Sequence, residues 1–194
     1  MSSLLPKALR NQLAHTTQEA RKAAEMAASA ALENLAVHER APREHMDPLQ
    51  RKLRNRLRAR GMALGDQCNT DKEIQHLVEL VGYEAWHRLL FTRFLTENSL
   101  LHTDAANGSV PVSLQDCDQL APELQARDGF DLACRFAQEI LPGVFRSDDP
   151  ALELQLSIDD GVALRKLVNA IPTEVFTADD SLGWTYQFWQ AQKK

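Results

Sequence analysis

The sequence predicts an all-α protein, an irregular multi-helix bundle with a long amino-terminal helix. Three observations predict it. Apolar residues recur at three- and four-residue spacing through most of the chain, helix-start signatures precede several of these runs, and strands do not alternate with helices. With 194 residues, 44% hydrophobic and 25% charged, the chain is long enough to bury a real core.

The first helix is predicted from Lys7 to about Glu39. Pro6 suits its first turn, no further Pro or Gly interrupts it, and Leu9, Leu13, Ala20, Ala24, Ala27, Ala31, Leu32 and Leu35 build one stripe. A small Ala face buries little area per residue, so residues 1–45 read as a helical arm that needs a neighbour to be fully ordered. Residues 46–194 read as the bundle proper. Asp47 caps the next helix with Pro48 in its first turn, Leu49, Leu53 and Leu57 form its apolar stripe, and Gly61 and Gly65 end it.

Thr70 with Glu73 has capping-box spacing and opens a helix with Ile74, Leu77, Val78, Val81, Trp86, Leu89, Leu90, Phe94 and Leu95 facing inward. Gly82 is a place to kink or divide it. The chain loosens through Asp104, Asn107 and Gly108, and Val110 to Val112 is short for a strand. Ser113 with Asp116 opens a short helix, and Asp128 opens one with Phe130, Ala133, Cys134, Ala137 and Ile140 inside. Helices follow around residues 150–156 and 159–170, and Thr177 with Asp180 opens the last, which carries Leu182, Trp184, Tyr186, Phe188 and Trp189.

The composition excludes several functions. A net charge of -5 argues against a wholly basic nucleic-acid binder, but the charge is uneven: residues 1–103 hold 15 Lys and Arg against 12 Asp and Glu, and residues 104–194 hold 7 against 15. Nucleic-acid contacts are therefore expected in the first half. Three scattered cysteines, Cys68, Cys117 and Cys134, fit a reducing compartment without structural zinc. No apolar run reaches the roughly 18 to 20 residues that span a bilayer, so the expectation is a cytoplasmic protein with no membrane partner.

No glycine-rich phosphate loop is present, and the six histidines are too scattered for a metal site. Cys134 faces inward, and Cys117 lies between Asp116 and Asp118, which oppose thiolate formation. The carboxylate pairs Asp148/Asp149, Asp159/Asp160 and Asp179/Asp180 stand where helices begin, and capping accounts for them. No catalytic, cofactor-binding or metal residue is expected in this chain.

One run carries a functional signal. Arg51, Lys52, Arg54, Arg56, Arg58 and Arg60 place six cations on one helix with no acid among them. Arg51, Arg54 and Arg58 fall on one line, suited to a phosphate backbone; a solvated face, or pairing with the acidic second half, is the alternative. The aromatic residues Trp184, Tyr186, Phe188 and Trp189 have helical spacing that suits a core or domain interface better than base stacking.

Two segments also carry a family resemblance. The run Val81-Gly82-Tyr83-Glu84-Ala85-Trp86-His87-Arg88-Leu89-Leu90-Phe91-Thr92-Arg93-Phe94-Leu95, followed by Glu97-Asn98, resembles the start of PglX-type adenine-specific DNA methyltransferases of BREX and DISARM phage-defence systems, which are related to fused restriction-modification methylases. The run Val175-Phe176-Thr177-Ala178-Asp179-Asp180-Ser181-Leu182-Gly183-Trp184-Thr185-Tyr186-Gln187-Phe188-Trp189 is similar to the junction before that family's catalytic domain. The opening Leu5-Pro6-Lys7-Ala8-Leu9-Arg10-Asn11-Gln12-Leu13 and the arginine-rich helix resemble the family's amino-terminal region, so the likeness covers nearly the whole chain.

The resemblance implies methyl transfer from S-adenosylmethionine to adenine N6 of double-stranded DNA by a larger protein. The family's cofactor loop and Asn-Pro-Pro-Tyr motif are absent here, where no two prolines adjoin. The chain is then expected to be an amino-terminal accessory region, or a split component, that assists duplex engagement and partners the catalytic domain and other defence-system subunits. The alternative is a scaffold that docks those partners without touching DNA.

Overall fold

The structure, a computed structural model, describes residues 4–103, 109–146 and 148–191, so the loosening read at Asp104, Asn107 and Gly108 and the polar end past Ala191 lie outside it. The protein is all-α. Among the described residues there are nine α-helices: α1 (Lys7–Asn34), α2 (Pro48–Leu64), α3 (Gln75–Glu97), α4 (Leu114–Leu120), α5 (Gly129–Ile140), α6 (Pro150–Glu153), α7 (Ile158–Asn169), α8 (Thr173–Phe176) and α9 (Ser181–Gln190). Two-residue strands β1 (His102–Thr103) and β2 (Val110–Pro111) pair antiparallel, His102 opposite Pro111.

The chain forms two compact units. One comprises residues 1–20, 87–146 and 165–194, the other residues 21–86 and 147–164, so α1 and α3 each supply residues to both. The first unit has a core of Leu95, Leu101, Leu132, Phe136 and Phe145, joined by Phe91, whose ring lies 5.7 Å from Phe94 and 5.9 Å from Phe145. The second is built on Ala28, Leu32, Leu57, Ile74, Leu77 and Val81. The Ala face of α1 is used there: Gly82 of α3 comes so close that a Cβ on it would stand 3.2 Å from the Ala24 carbonyl carbon. Gly82 therefore admits a neighbouring backbone, and α3 runs through it without division.

One helix end differs from the sequence reading, and two others are made in the same way. Helix α1 stops at Asn34, short of Glu39, in a Schellman turn: Val37 N–H donates to Leu32 C=O and Ala36 N–H to Glu33 C=O, with Ala36 at φ 51°. Ser99 (φ 54°) and Gln125 (φ 53°) end α3 and the turn after α4 in the same manner. None of the three is glycine, the usual sign of such an end. Gln125 is exposed, so glycine there relieves the left-handed backbone without losing a buried contact. Gln125→Gly is expected to raise stability by about 0.5 kcal/mol, read from the urea midpoint.

Helix α3 starts at Gln75 instead of Asp71. The Thr70 side chain makes no cap, residues Asp71–Glu73 form a 3-10 turn, and the cap comes from buried Asp66, whose carboxylate accepts from His76 N–H (3.1 Å) and Leu77 N–H (2.8 Å). Helix α2 ends at Gly65 (φ 101°), while Gly61 lies inside it, where a Cβ would stand 2.9 Å from the Cys68 sulfur. Ser113–Asp116 forms the capping box as read, and Asp47 caps α2 as read, with Gln50 completing a box that was not. Thr177 does not cap α9; its hydroxyl donates to Glu174 C=O.

Candidate nucleic-acid interface

Helix α2 carries the basic run. Asp47 Oδ1 accepts from Gln50 N–H at 2.8 Å, the Gln50 side chain accepts from Asp47 N–H at 3.1 Å, and Pro48 occupies the first turn. The arginine line then turns inward. Arg54 is 2% exposed, and its guanidinium donates to Ala36 C=O at 2.9 Å and to Glu39 C=O. Burial, then the neighbouring Arg58 cation, pull its pKa below the usual guanidinium value. One Arg58 amino group lies among the carbonyls of Val37, Glu39 and Cys68. Arg51 reaches back to Met46 C=O and Glu44 C=O, both at 3.0 Å.

Of these acceptors Ala36, Val37 and Glu39 stand just after α1, Glu44 and Met46 just before α2, and Cys68 just after it. The line Arg51, Arg54 and Arg58 is thus brought together as expected, but on peptide oxygens. A guanidinium spent on buried carbonyls, as that of Arg54 is, cannot also hold a phosphate without leaving them unpaired, whereas Arg51 is exposed and Arg58 half-buried. Arg56 pairs with Glu153 and donates to Asp148 C=O, so this one cation does meet the acidic second half. Lys52 is exposed and Arg60 half-buried, and neither has a hydrogen-bond or ion-pair partner among the described residues.

The aromatic set divides similarly. Trp189 is buried at 3% exposure, while Tyr186 is 55% exposed. Trp184 stacks on Phe188 with centroids 5.5 Å apart, Arg10 lies 5.0 Å over its ring, and its indole N–H donates to Asp180 at 2.6 Å. The other Asp180 oxygen accepts from Leu5 N–H at 3.1 Å. The Trp184 hydrogen bond leads the causes that hold the Asp180 carboxyl below its usual pKa. Trp184 is therefore occupied by its own chain, and Tyr186 is the aromatic of this group left most open.

The sequence reading missed two further buried arginines, Arg21, which pairs with Glu25 at 2.7 Å, and Arg93. Arg93 of α3 is 8% exposed, donates to Val168 C=O, pairs with Glu97 at 3.1 Å and lies 4.7 Å over the Phe176 ring. Asn98 adds a bond to Phe176 C=O at 3.0 Å. Residues 81–98 and 175–189 thus meet through Arg93, Asn98 and Phe176. Spacing alone gives no sign of this contact; the nearest hint is a lone arginine within an apolar run.

Other chemistry is sparse. Burial and then the Asp116 and Asp118 charges push the Cys117 thiol up to about 11, and burial raises Cys134, whose sulfur lies 3.4 Å from the Thr92 hydroxyl. Both are poor nucleophiles at neutral pH. Among the described residues no three His, Cys, Asp or Glu side chains gather to hold a metal, and no helix is long and apolar enough to cross a membrane. The fold and the basic helix define an all-α unit braced by buried arginines. No family model matches the chain, no curated protein matches it, and no solved structure matches it.

Proposed function

We propose that this chain is the helical accessory region of an adenine-N6-specific DNA methyltransferase of the phage-defence or restriction-modification kind, and that its part is to dock the catalytic domain or a partner subunit. The observation that carries the reading is the ordered pair of resembling segments, Val81 to Asn98 and Val175 to Trp189, whose Arg93, Asn98 and Phe176 pack together. Docking is favoured over duplex engagement because Arg51, Arg54 and Arg58 are committed to carbonyls.

S-adenosylmethionine is usually cradled where a strand leads through a glycine turn into a helix, and the described strands β1 and β2 have only two residues each, which supports a reading with the cofactor held elsewhere. The cofactor and the extruded adenine belong to a catalytic domain outside these residues. Turning a base out of the duplex costs a few kcal/mol, and protein around the site, including docked helical regions, helps to repay it.

The test is genetic. Disrupting this reading frame in its host and mapping N6-methyladenine across the genome is expected to erase methylation at one sequence motif, with restoration by the intact gene. Methylation unchanged at every motif refutes the reading.

A further inference from the structure

We infer that residues 154–157 of the second unit are an open edge that captures an extended peptide from another protein, one with alternating apolar side chains and a Lys or Arg at the end lying against α7. The run Leu152-Glu153-Leu154-Gln155-Leu156-Ser157-Ile158 alternates apolar and polar residues, which is the period of a strand and not of a helix. The backbone follows it: α6 stops at Glu153, Leu154 is extended (φ -66°, ψ 121°), and residues 154–157 belong to no helix or strand. Of their backbone groups, Leu154 N–H donates to Pro150 C=O at 3.3 Å and Ser157 C=O accepts from Gly161 N–H at 2.9 Å. The N–H groups of Gln155, Leu156 and Ser157 and the C=O groups of Leu154, Gln155 and Leu156 have no partner among the described residues. A run of open donors and acceptors along an extended backbone is the feature by which strand addition takes a peptide.

The same residues border a groove with room for the peptide's side chains. It has a volume of about 840 Å³, and residues 153–157 line it without a gap, together with the end of α1 and the start of α2. Leu49, 77% exposed, and half-buried Leu156 offer apolar surface there to alternate side chains of an incoming strand. The flank of the edge decides the partner's charge. Asp160, which accepts from the Ser157 hydroxyl at 2.6 Å, lines the groove, and Asp159 beside it is exposed. Neither has an ion-pair partner among the described residues, whereas Glu153 is neutralised by Arg56. Lys52 stands on the α2 wall, so the call for a cation is local to the α7 end. The same edge of a second copy cannot supply that cation: Asp159 would meet Asp159 in a parallel pairing and lie beside Leu152 and Glu153 in an antiparallel one. Peptide capture stands whether or not the chain serves a methyltransferase, since it draws only on this edge and groove.

Selection of a library of random short peptides on the full chain tests the inference. The expected result is a family of binders with apolar residues at alternate positions and a Lys or Arg at one end. For the tightest of them, methylating one alternate set of backbone nitrogens should weaken binding by about tenfold or more, and methylating the other set far less, because only one set faces the edge. Asp159→Lys and Leu49→Ser should each weaken binding several-fold, and hydrogen exchange at the Gln155, Leu156 or Ser157 amides should slow when peptide is bound. Positions 49 and 159 are exposed, so unchanged thermal melting by circular dichroism establishes that the variants are folded. A selection that enriches no peptide overturns the inference, as do binders that are helical, that lack the cation, or that are indifferent to backbone methylation. A dimer of this chain joined through residues 154–157 also overturns it.

Discussion

Arg54→Ala is expected to remove about 3 kcal/mol of stability and to lower the melting temperature by roughly 6 to 12 °C, the scale for breaking a buried charged interaction in a protein of this size. The guanidinium at position 54 is the bridge between α2 and the segment that follows α1: it serves Ala36 C=O and Glu39 C=O from a site 2% exposed. Alanine leaves both carbonyls without that donor and opens a void beside Leu57 in the core of the second unit. Lysine should rescue little, since one ammonium on a flexible stem cannot reproduce the planar fork that reaches two acceptors. Urea unfolding followed by circular dichroism reads the change. Arg51, exposed and bonded to Met46 and Glu44 carbonyls, should cost well under half as much when replaced by Ala, because water can take over its acceptors.

Arg93→Ala is expected to destabilise the first unit by about 3 kcal/mol as well. This side chain joins three partners at once, the Val168 carbonyl, the Glu97 carboxylate and the Phe176 ring. Removing it uncovers a carbonyl, strips a half-buried carboxylate of its counter-ion and leaves the aromatic face unpaired. Arg93→Met keeps the volume and some contact with Phe176, and should recover part of the loss. A double-mutant cycle with Phe176→Leu isolates the ring contact, with a coupling of about 1 kcal/mol expected. Because Arg93 and Phe176 belong to the two resembling segments, a Phe176→Leu protein that folds yet no longer supports host DNA methylation would tie this junction to the proposed docking role.

The starts of α2 and α4 were legible in the sequence, and the end of α1 and the starts of α3 and α9 were not, for a physical reason. Asp47 with Pro48, and Ser113 with Asp116, are local capping chemistry, and each forms where the sequence placed it. The end of α1 depends on Ala36 adopting a positive φ, which nothing about alanine announces; Val37 and Arg54 hold it there from farther along the chain. The start of α3 is shifted because Asp66 reaches forward to cap it, a contact between residues ten and eleven apart that a capping-box pattern cannot contain.

The basic helix shows the same limit at the site. Regular spacing correctly groups Arg51, Arg54 and Arg58, but periodicity does not say whether a line of arginines faces solvent or the core. Arg54 shares its buried face with Leu57 and Gly61. Gly61 was the available clue, for a glycine seven residues from an arginine within a continuing helix marks the side where other groups approach, here Cys68. In the aromatic segment, helical spacing favoured packing over base stacking, and Trp189 is indeed buried. The engagement of Trp184 by Arg10 could not be read from residues 174 apart.

The central claim is that Arg54 and Arg58 of α2 brace peptide carbonyls, and the expectation that follows is that these two do not exchange them for phosphates. Nitrogen-15 NMR of the arginine side chains in the full chain, with hydrogen exchange followed before and after duplex DNA is added at low salt, tests it most directly. The account predicts a slowly exchanging Arg54 Nε–H, bonded to Ala36 C=O, whose shift and exchange rate stay the same when DNA is present. Exchange at the rate of a free guanidinium, or a shift of the Arg54 and Arg58 signals that tracks DNA binding and is reversed by salt, would contradict it.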